Sequence, residues 1–319
     1  MEAVVERCAG LDVHQGSVVA CVLLGAAGRK PRKEVRTFAT ATADLVALRD
    51  WLEDLGVTHV GMESTGVYWK PVYAILEGHF ALIVGNAHHI KAVPGRKTDV
   101  KDAEWIADLI RHGLVRASFV PPPAIRDLRD LVRLRRSLSE GLTTERNRTL
   151  KLLETANIKR ASVASEVFGV SGLAMLRALV ENAASPEQMA DLAKGKLRRK
   201  LTPLARALEG RLTEHHRFVL ALHLRRMAAI EADLAALDAR IEAQIEPFQR
   251  QRALLRQIPG VDDRVAATII AEIGIDMSVF GNAMRLASWA GVCPGNYESA
   301  GKQRRGTTRR ATSTSRRLW

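Results

Sequence analysis

Four carboxylates in the first third of the chain have the residue type and spacing to do chemistry. Asp12 closes an apolar stretch in GLDVH, Glu63 follows another in HVGMEST, and Asp99 and Asp102 stand three apart in KTDVKDAEWIADLI. Acidic groups from several elements, brought to one edge of a sheet, repel one another unless a cation neutralises them, so such a group calls for a divalent metal. Two Mg²⁺ (or Mn²⁺) ions about 4 Å apart suit in-line displacement at phosphorus, because they stabilise the attacking and leaving oxygens together. Helical spacing puts Asp99 and Asp102 on one face. Taken singly, each residue has a plainer reading: an Asp at a strand end is a turn residue, and Asp99 serves equally as N-cap of the helix that contains Asp102. His88 and His89 lie nearby in sequence and read as a solvated loop pair rather than as metal or phosphate contacts.

The elements that must position these groups follow from the apolar pattern of the first 115 residues. Val18–Leu24 reads as a buried strand after CAGLDVH, His59–Met62 as another after the helical stretch 43–55, and Phe80–Val84 as a third before Asn86. Strand, strand, strand, helix, strand, helix, strand, helix is the expected order, a mixed sheet with helices on its faces. Pro121-Pro122-Pro123 cannot continue a helix or a central strand and marks a boundary near residue 120.

Beyond it the texture is helical. Residues 124–155 carry apolar positions at helical spacing among many Arg, and Met227, Ile230, Leu234, Leu237 and Ile241 recur in steps of three and four. Those five fit either a coiled-coil seam or a long helix packed on its own domain, in both cases a connector with a basic outer face. Ile258-Pro259-Gly260-Val261, running into a second apolar stretch, reads as a helix–hairpin–helix turn whose exposed amides suit a phosphate backbone.

Charge agrees with a polyanionic partner. The 319 residues hold 48 Lys plus Arg against 35 Asp plus Glu, a net +13. Residues 1–125 carry 14 basic and 14 acidic side chains, 126–250 carry 23 and 16, 251–300 carry 4 and 5, and 301–319 carry 7 and 0, so the excess sits in the middle and the tail. An apolar fraction of 47% builds a real core and excludes global disorder. Cys8, Cys21 and Cys293 are too few and too scattered for a disulfide framework or a zinc knuckle, which suits a reducing cytoplasm. The longest apolar stretch, Val18–Gly28, is about half a membrane span, and Glu2 and Glu6 stand where a signal peptide is positive. The expectation is a soluble, unexported protein with no membrane partner.

At this point the order GLDVH, MESTG and KTDVKDA resembles the RuvC-like, ribonuclease-H-fold domain of the DEDD insertion-sequence transposases, the insertion sequence 110 group. No tetrad position departs from that pattern. The resemblance implies that Asp12, Glu63, Asp99 and Asp102 are the DEDD tetrad and Mg²⁺ (or Mn²⁺) the cofactor. It implies an α/β ribonuclease-H-like (RuvC-like) domain over 1–120, a basic helical or coiled-coil connector over 121–250, and a small, mainly α C-terminal domain over 251–319.

LASWAGVCPGNYESAGK, residues 286–302, is similar to the C-terminal domain of the same family, in which a Ser shortly after a Gly-x-x-Pro turn is the nucleophile. Ser299 is the matching position; Ser288 sits in an apolar helical pattern that favours packing. Positive charge eases deprotonation of a Ser and stabilises a phosphorane, and Lys302, Arg304 and Arg305 can supply it. Arg309 and Arg310 extend the basic tail towards nucleic acid. The resemblance further implies a covalent phosphoserine DNA intermediate, an active site shared between subunits of a dimer or dimer of dimers, and a guide RNA encoded by the element, in a bacterial, nucleoid-associated setting. It covers residues 7 to about 308 and then stops: ATSTSRRLW, residues 311–319, replaces a Gly-Asn and a Leu- and Arg-rich helix, as a frameshift or truncation near residue 310 would.

Three competing functions use the same residues differently. A junction-resolving nuclease keeps the carboxylates without a covalent step, and Ser299→Ala separates it from a transposase. A sugar-kinase or actin-like ATPase needs a second Gly-rich phosphate loop, which the sequence lacks. An inactive nucleic-acid-binding remnant is what a missing C-terminal helix would leave.

Overall fold

The computed structural model describes residues 3–64, 66–93, 101–159, 162–163, 166–182, 184–293, 298–299 and 302–303. The chain divides into two compact units, 1–120 and 121–319. The division falls at the proline triplet, whose last member, Pro123, takes the first turn of a helix, where a missing N–H costs nothing.

The first unit runs β1 (Arg7–Val13), β2 (Ser17–Leu24), β3 (Arg32–Ala39), α1 (Thr42–Asp54), β4 (His59–Glu63), α2 (Trp69–Leu76), β5 (Ala81–Gly85), α3 (Ala87–Ala92) and α4 (Asp102–Arg111). The element order read from the sequence is the one observed, with α3 and α4 standing where one helix was expected. The sheet order is β3-β2-β1-β4-β5. β1 pairs antiparallel with β2 and parallel with β4, and β4 pairs parallel with β5, so the sheet is mixed. The central strands are buried on both faces, which is why β1 and β2 read as continuous apolar runs rather than alternating ones. β3 is an edge strand and carries Lys33, Glu34 and Arg36, charges that discourage further pairing.

Each face has its own core. Ala9, Leu11, Val60 and Met62 pack with Leu45, Leu48 and Leu52 of α1 and with Val72 and Leu76 of α2. On the other face Cys8, Cys21 and Leu23 pack with Ala103, Ile106, Leu109 and Ile110 of α4. Each buried Leu or Ile contributes about 2 kcal/mol by leaving water. α4 lies unusually close to the sheet because Gly10 and Gly61 offer no side chain there. A Cβ at Gly10 would collide with the backbone of Ala103 and Ala107, and one at Gly61 with Ile110. The buried Arg111 closes this layer by donating to the carbonyl of Ala26 at 3.1 Å.

The second unit contains α5 (Pro123–Thr155), α6 (Val170–Glu181), α7 (Pro186–Asp191), α8 (Leu201–Leu208), α9 (Glu214–Ile245), α10 (Gln249–Leu255), α11 (Asp263–Ile273), α12 (Ala283–Ala290), and the two-residue strands β6 (Glu298–Ser299) and β7 (Lys302–Gln303). α5 and α9 form an antiparallel hairpin. Ile125, Leu128 and Val132 near the start of α5 share a core with Ile241 and Ile245 near the end of α9, whereas Leu153 at the far end shares one with Leu220. Met227 and Ile241 are buried and Ile230, Leu234 and Leu237 half-buried, so the apolar seam is the covered face of α9, against which α5 packs within the same chain. The first of these cores also takes in Phe248, Ala267 and Ile270, joining residues on both sides of position 250. The second is a satellite of α6, α7 and α8 carried at the far end of the hairpin.

Part of the connector's basic charge is paired on the α5–α9 hairpin. Arg135 pairs with Asp238, Arg136 with Glu140, Arg146 with Glu231 and Arg148 with Glu145. No described helix is long and apolar enough to cross a membrane.

Candidate active site

β1 and β4 are neighbours in parallel register, with Leu11 opposite Met62. One step further along, Asp12 and Glu63 therefore end adjacent strands at the same level. Side chains alternate along a strand, so Asp12 shares the face of Cys8 and Gly10, and Glu63 shares the face of Gly61. That is the face covered by α4. Gly10 meets Ala103 and Ala107, Gly61 meets Ile106 and Ile110, and the carbonyl of Arg111 at the last turn of α4 accepts from the amide of Val4 just before β1, so the N-terminal end of α4 lies towards the C-terminal end of β1. Asp102 is the first residue of α4 and is exposed there. Three sequence-predicted carboxylates thus belong to one edge and one face of the sheet, Asp12 and Glu63 half-buried and Asp102 exposed.

The structure brings them to one edge without gathering them. Among the described residues no three His, Cys, Asp or Glu side chains form a group that could hold a metal ion. Asp99 lies outside the described residues. The helical relation expected between Asp99 and Asp102 is not provided by α4, which begins at Asp102, and the N-cap is Lys101 in an extended conformation rather than Asp99. The donor chemistry still suits a hard divalent cation, since all three described candidates are carboxylates.

One neighbour of the site was missed by sequence reasoning. Nε2 of His14 lies 3.1 Å from Oδ2 of Asp12, with the imidazole exposed. The signal was in GLDVH itself, where the His follows the strand end two residues after the Asp. His88 and His89, read as a loop pair, are instead part of α3, with His89 exposed.

In the second unit Ser299 and Lys302 are direct cross-strand partners in the β6–β7 pairing. Arg304, Arg305, Arg309 and Arg310 lie outside the described residues. Ser288, expected to pack, is exposed on α12, because the helix buries only Ala290.

The turn expected between two helices at residues 258–261 lies between α10 and α11. Ile258 to Val261 close a turn through a Val261 N–H to Ile258 carbonyl bond of 3.0 Å, with Pro259 second and Gly260 third at φ +86°, where a side chain would be strained. The N-terminus of α11 carries two carboxylates of its own. Oδ1 of Asp262 accepts from the Val265 amide at 2.8 Å, and Asp263 pairs with Arg252 and Arg256. A carboxylate already occupies the position an anion would take.

Arginines secure the frame of this unit. Arg133 is bidentate on the buried Glu272 at 2.8 and 2.9 Å, which raises its guanidinium above the ordinary range. Arg129 donates to the carbonyls of Ala271 and Glu272, satisfying the last turn of α11; burial pulls it down against the opposing pull of Glu272.

Comparison with known proteins agrees at both ends of the chain. A family model described as Transposase matches residues 9–158. A second, described as Transposase IS116/IS110/IS902 family, matches residues 252–319. Over 322 aligned residues the chain is 26% identical to "Insertion element IS900 uncharacterized 42 kDa protein" of Mycobacterium paratuberculosis, covering 90% of this chain and 76% of that protein. Residues 159–251 lie outside both family matches.

Proposed function

Because this chain is an insertion sequence 110 family transposase, a DNA transposase or recombinase, we propose that it cuts and rejoins DNA with two cooperating sites, a carboxylate edge in a ribonuclease-H-like, RuvC-like domain and a serine in the C-terminal segment. The observation that carries the first site is the shared register of Asp12 and Glu63 on the face that α4 covers, with Asp102 opening that helix at the same edge. Asp12, Glu63, Asp99 and Asp102 hold Mg²⁺ or Mn²⁺, which when bound neutralises the carboxylates and the charge that develops at phosphorus. His14 beside Asp12 fixes the orientation of that carboxylate.

Ser299 is the nucleophile. Its Oγ bonds to phosphorus as the bond from phosphorus to the 3′-oxygen breaks, so the serine proton is lost, the 3′-oxygen gains one, and the strand remains joined to the protein through its 5′-phosphate. A 3′-hydroxyl attacking that phosphoserine reverses the step and reseals DNA without another energy source. Lys302 at the facing register position supports this reading, because positive charge lowers the cost of the serine alkoxide. A dimer or dimer of dimers that pairs the metal edge of one subunit with the serine of another completes the site, and a guide RNA directs it.

The test is an adduct assay. The full chain, with its native flanking non-coding DNA supplied for transcription, is incubated with element-end DNA and Mg²⁺, then denatured. A protein–DNA species absent in both Ser299→Ala and Asp102→Ala supports the serine mechanism. Strand cleavage that proceeds without any adduct and survives Ser299→Ala identifies a junction-type nuclease instead.

A further inference from the structure

The largest concentration of uncompensated positive charge among the described residues lies in neither site, but on the satellite at the far end of the α5–α9 hairpin. Residues 194–211, KGKLRRKLTPLARALEGR, contain seven Lys or Arg and a single acidic residue, Glu209. The stretch forms a 3-10 helix, Gly195–Lys200, continued by α8. Lys194, Lys196, Arg198, Arg199 and Arg206 are all exposed, and none of the five takes part in an ion pair. On the neighbouring hairpin, by contrast, Arg135, Arg136, Arg146 and Arg148 are each matched by a carboxylate.

The platform is rigid as well as charged. Leu197 and Leu201 pack against, and Leu204 and Leu208 lie within, the satellite core, which forces the basic residues outward. The Lys194 amide donates to Oγ of Ser171 at 2.9 Å, and Nζ of Lys200 donates to the Val163 carbonyl at 3.2 Å. With a rise of about 2 Å per residue, Lys196 and Arg199 recur one turn apart on the same side. Like charges held this way repel, and a polyanion that releases its own counterions relieves the repulsion. The stretch contains no aromatic residue, so it offers no stacking platform and reads backbone rather than bases.

We propose that this satellite surface is a second nucleic-acid dock, binding a sugar–phosphate backbone without sequence preference. The dock does not depend on the carboxylate or serine assignments.

Fluorescence anisotropy of the full chain tests it, with a short labelled DNA duplex and an RNA stem-loop of equal length as probes, each titrated at several salt concentrations. Lys196→Gln/Arg199→Gln is compared with Arg29→Gln/Lys30→Gln, which removes the same charge from the exposed turn between β2 and β3. The patch variant is expected to lose about tenfold in affinity and to lower the log–log salt slope by about 2, the control neither. Arg198→Gln/Arg206→Gln, on the same surface, should repeat the effect, and unchanged melting shows that folding is intact. Loss on both probes identifies a general backbone dock, and loss on one identifies the nucleic acid it serves. Equal binding by patch variant and control, on both probes, overturns the proposal.

Discussion

Gly10, in the middle of β1, lies directly beneath the backbone of Ala107 in α4, with no room for a Cβ between them. This contact sets the height of α4 over the sheet, and hence the place of Asp102 relative to Asp12. Gly10→Ala is expected to cost about 3 kcal/mol through overpacking and to depress strand cleavage beyond what the loss of folded protein explains. Gly16→Ala, where a Cβ meets nothing, should stay within about 0.5 kcal/mol of the parent. Urea unfolding of both variants checks the difference; equal stabilities would show that the helix can lift freely.

Asp102 separates stability from chemistry. At the first position of α4 its charge favours the helix N-terminus by about 0.5 kcal/mol. Asp102→Asn is therefore expected to melt close to the parent while cleavage of element-end DNA falls by at least about 100-fold. A chelator should abolish cleavage by the parent and leave its far-UV spectrum unchanged.

The Glu145 carboxylate lies 2.6 Å from Nδ1 of His223 and 2.6 Å from Nη1 of Arg148, inside the α5–α9 hairpin. Burial opposes its charged form, but the hydrogen bonds from His223 and Arg148 outweigh burial and hold the carboxyl below its ordinary value of 4.5. A carboxyl whose folded-state pKa is depressed stabilises the fold above its unfolded value, and that stability drains away as pH falls through the folded one. The helical unit should therefore weaken as the medium is acidified below about pH 4.5, and Glu145→Gln should flatten that part of the curve. Circular dichroism melts across the acid range decide it.

Burial pushes the Cys8 thiol up to about 12 and the Cys21 thiol up to about 11. Both are packed beneath α4, whereas Cys293 is only half-buried. Mild alkylation of the native protein near neutral pH should label Cys293 alone, and all three cysteines should react in denaturant. Mass spectrometry of the labelled peptides reads the order; early labelling of Cys8 would mean that α4 opens readily.

Glu272 is buried and carries Arg133 in a bidentate pair, with Arg129 at 3.9 Å. Removing the carboxylate in Glu272→Ala leaves the half-exposed Arg133 guanidinium without its bidentate partner, at a cost of about 2 kcal/mol. Replacing both members, Glu272→Met with Arg133→Met, should recover much of that loss. A melting temperature for the double variant below that of Glu272→Ala would contradict this account.

The first unit was legible because its signals are local. Apolar runs bounded by polar turns gave the strands other than β3, whose charged edge sequence has no such run, and Asp12 and Glu63 could be placed at strand ends from the pattern around them. The seat of α4 was not legible, since it depends on Gly10 and Gly61 meeting a helix some 50 to 90 residues later in the chain. For the same reason the start of α4 at Asp102, with Lys101 as cap, ran against a spacing argument that treated Asp99 and Asp102 as one helical face. In the second unit the seam of α9 could be read from its spacing, but not its partner, because periodicity says which face is covered and not by what. The phosphate-binding reading of the 258–261 turn took no account of Asp262, whose side chain caps α11 by accepting from the Val265 amide. The serine end was legible only through resemblance: a Ser in a Gly-rich loop has no pattern of its own.

The antiparallel run of α5 and α9 also makes the satellite an insertion. The chain leaves the hairpin at Thr155 and re-enters it at Glu214, and both points sit at the same tip. With 33 residues in α5, the arm is about 50 Å long at 1.5 Å per residue. A cargo spliced in at the end of such a spar can be exchanged for a short turn without disturbing the core at the opposite end, so the reach of the protein and its chemistry can evolve, or be engineered, as separate parts.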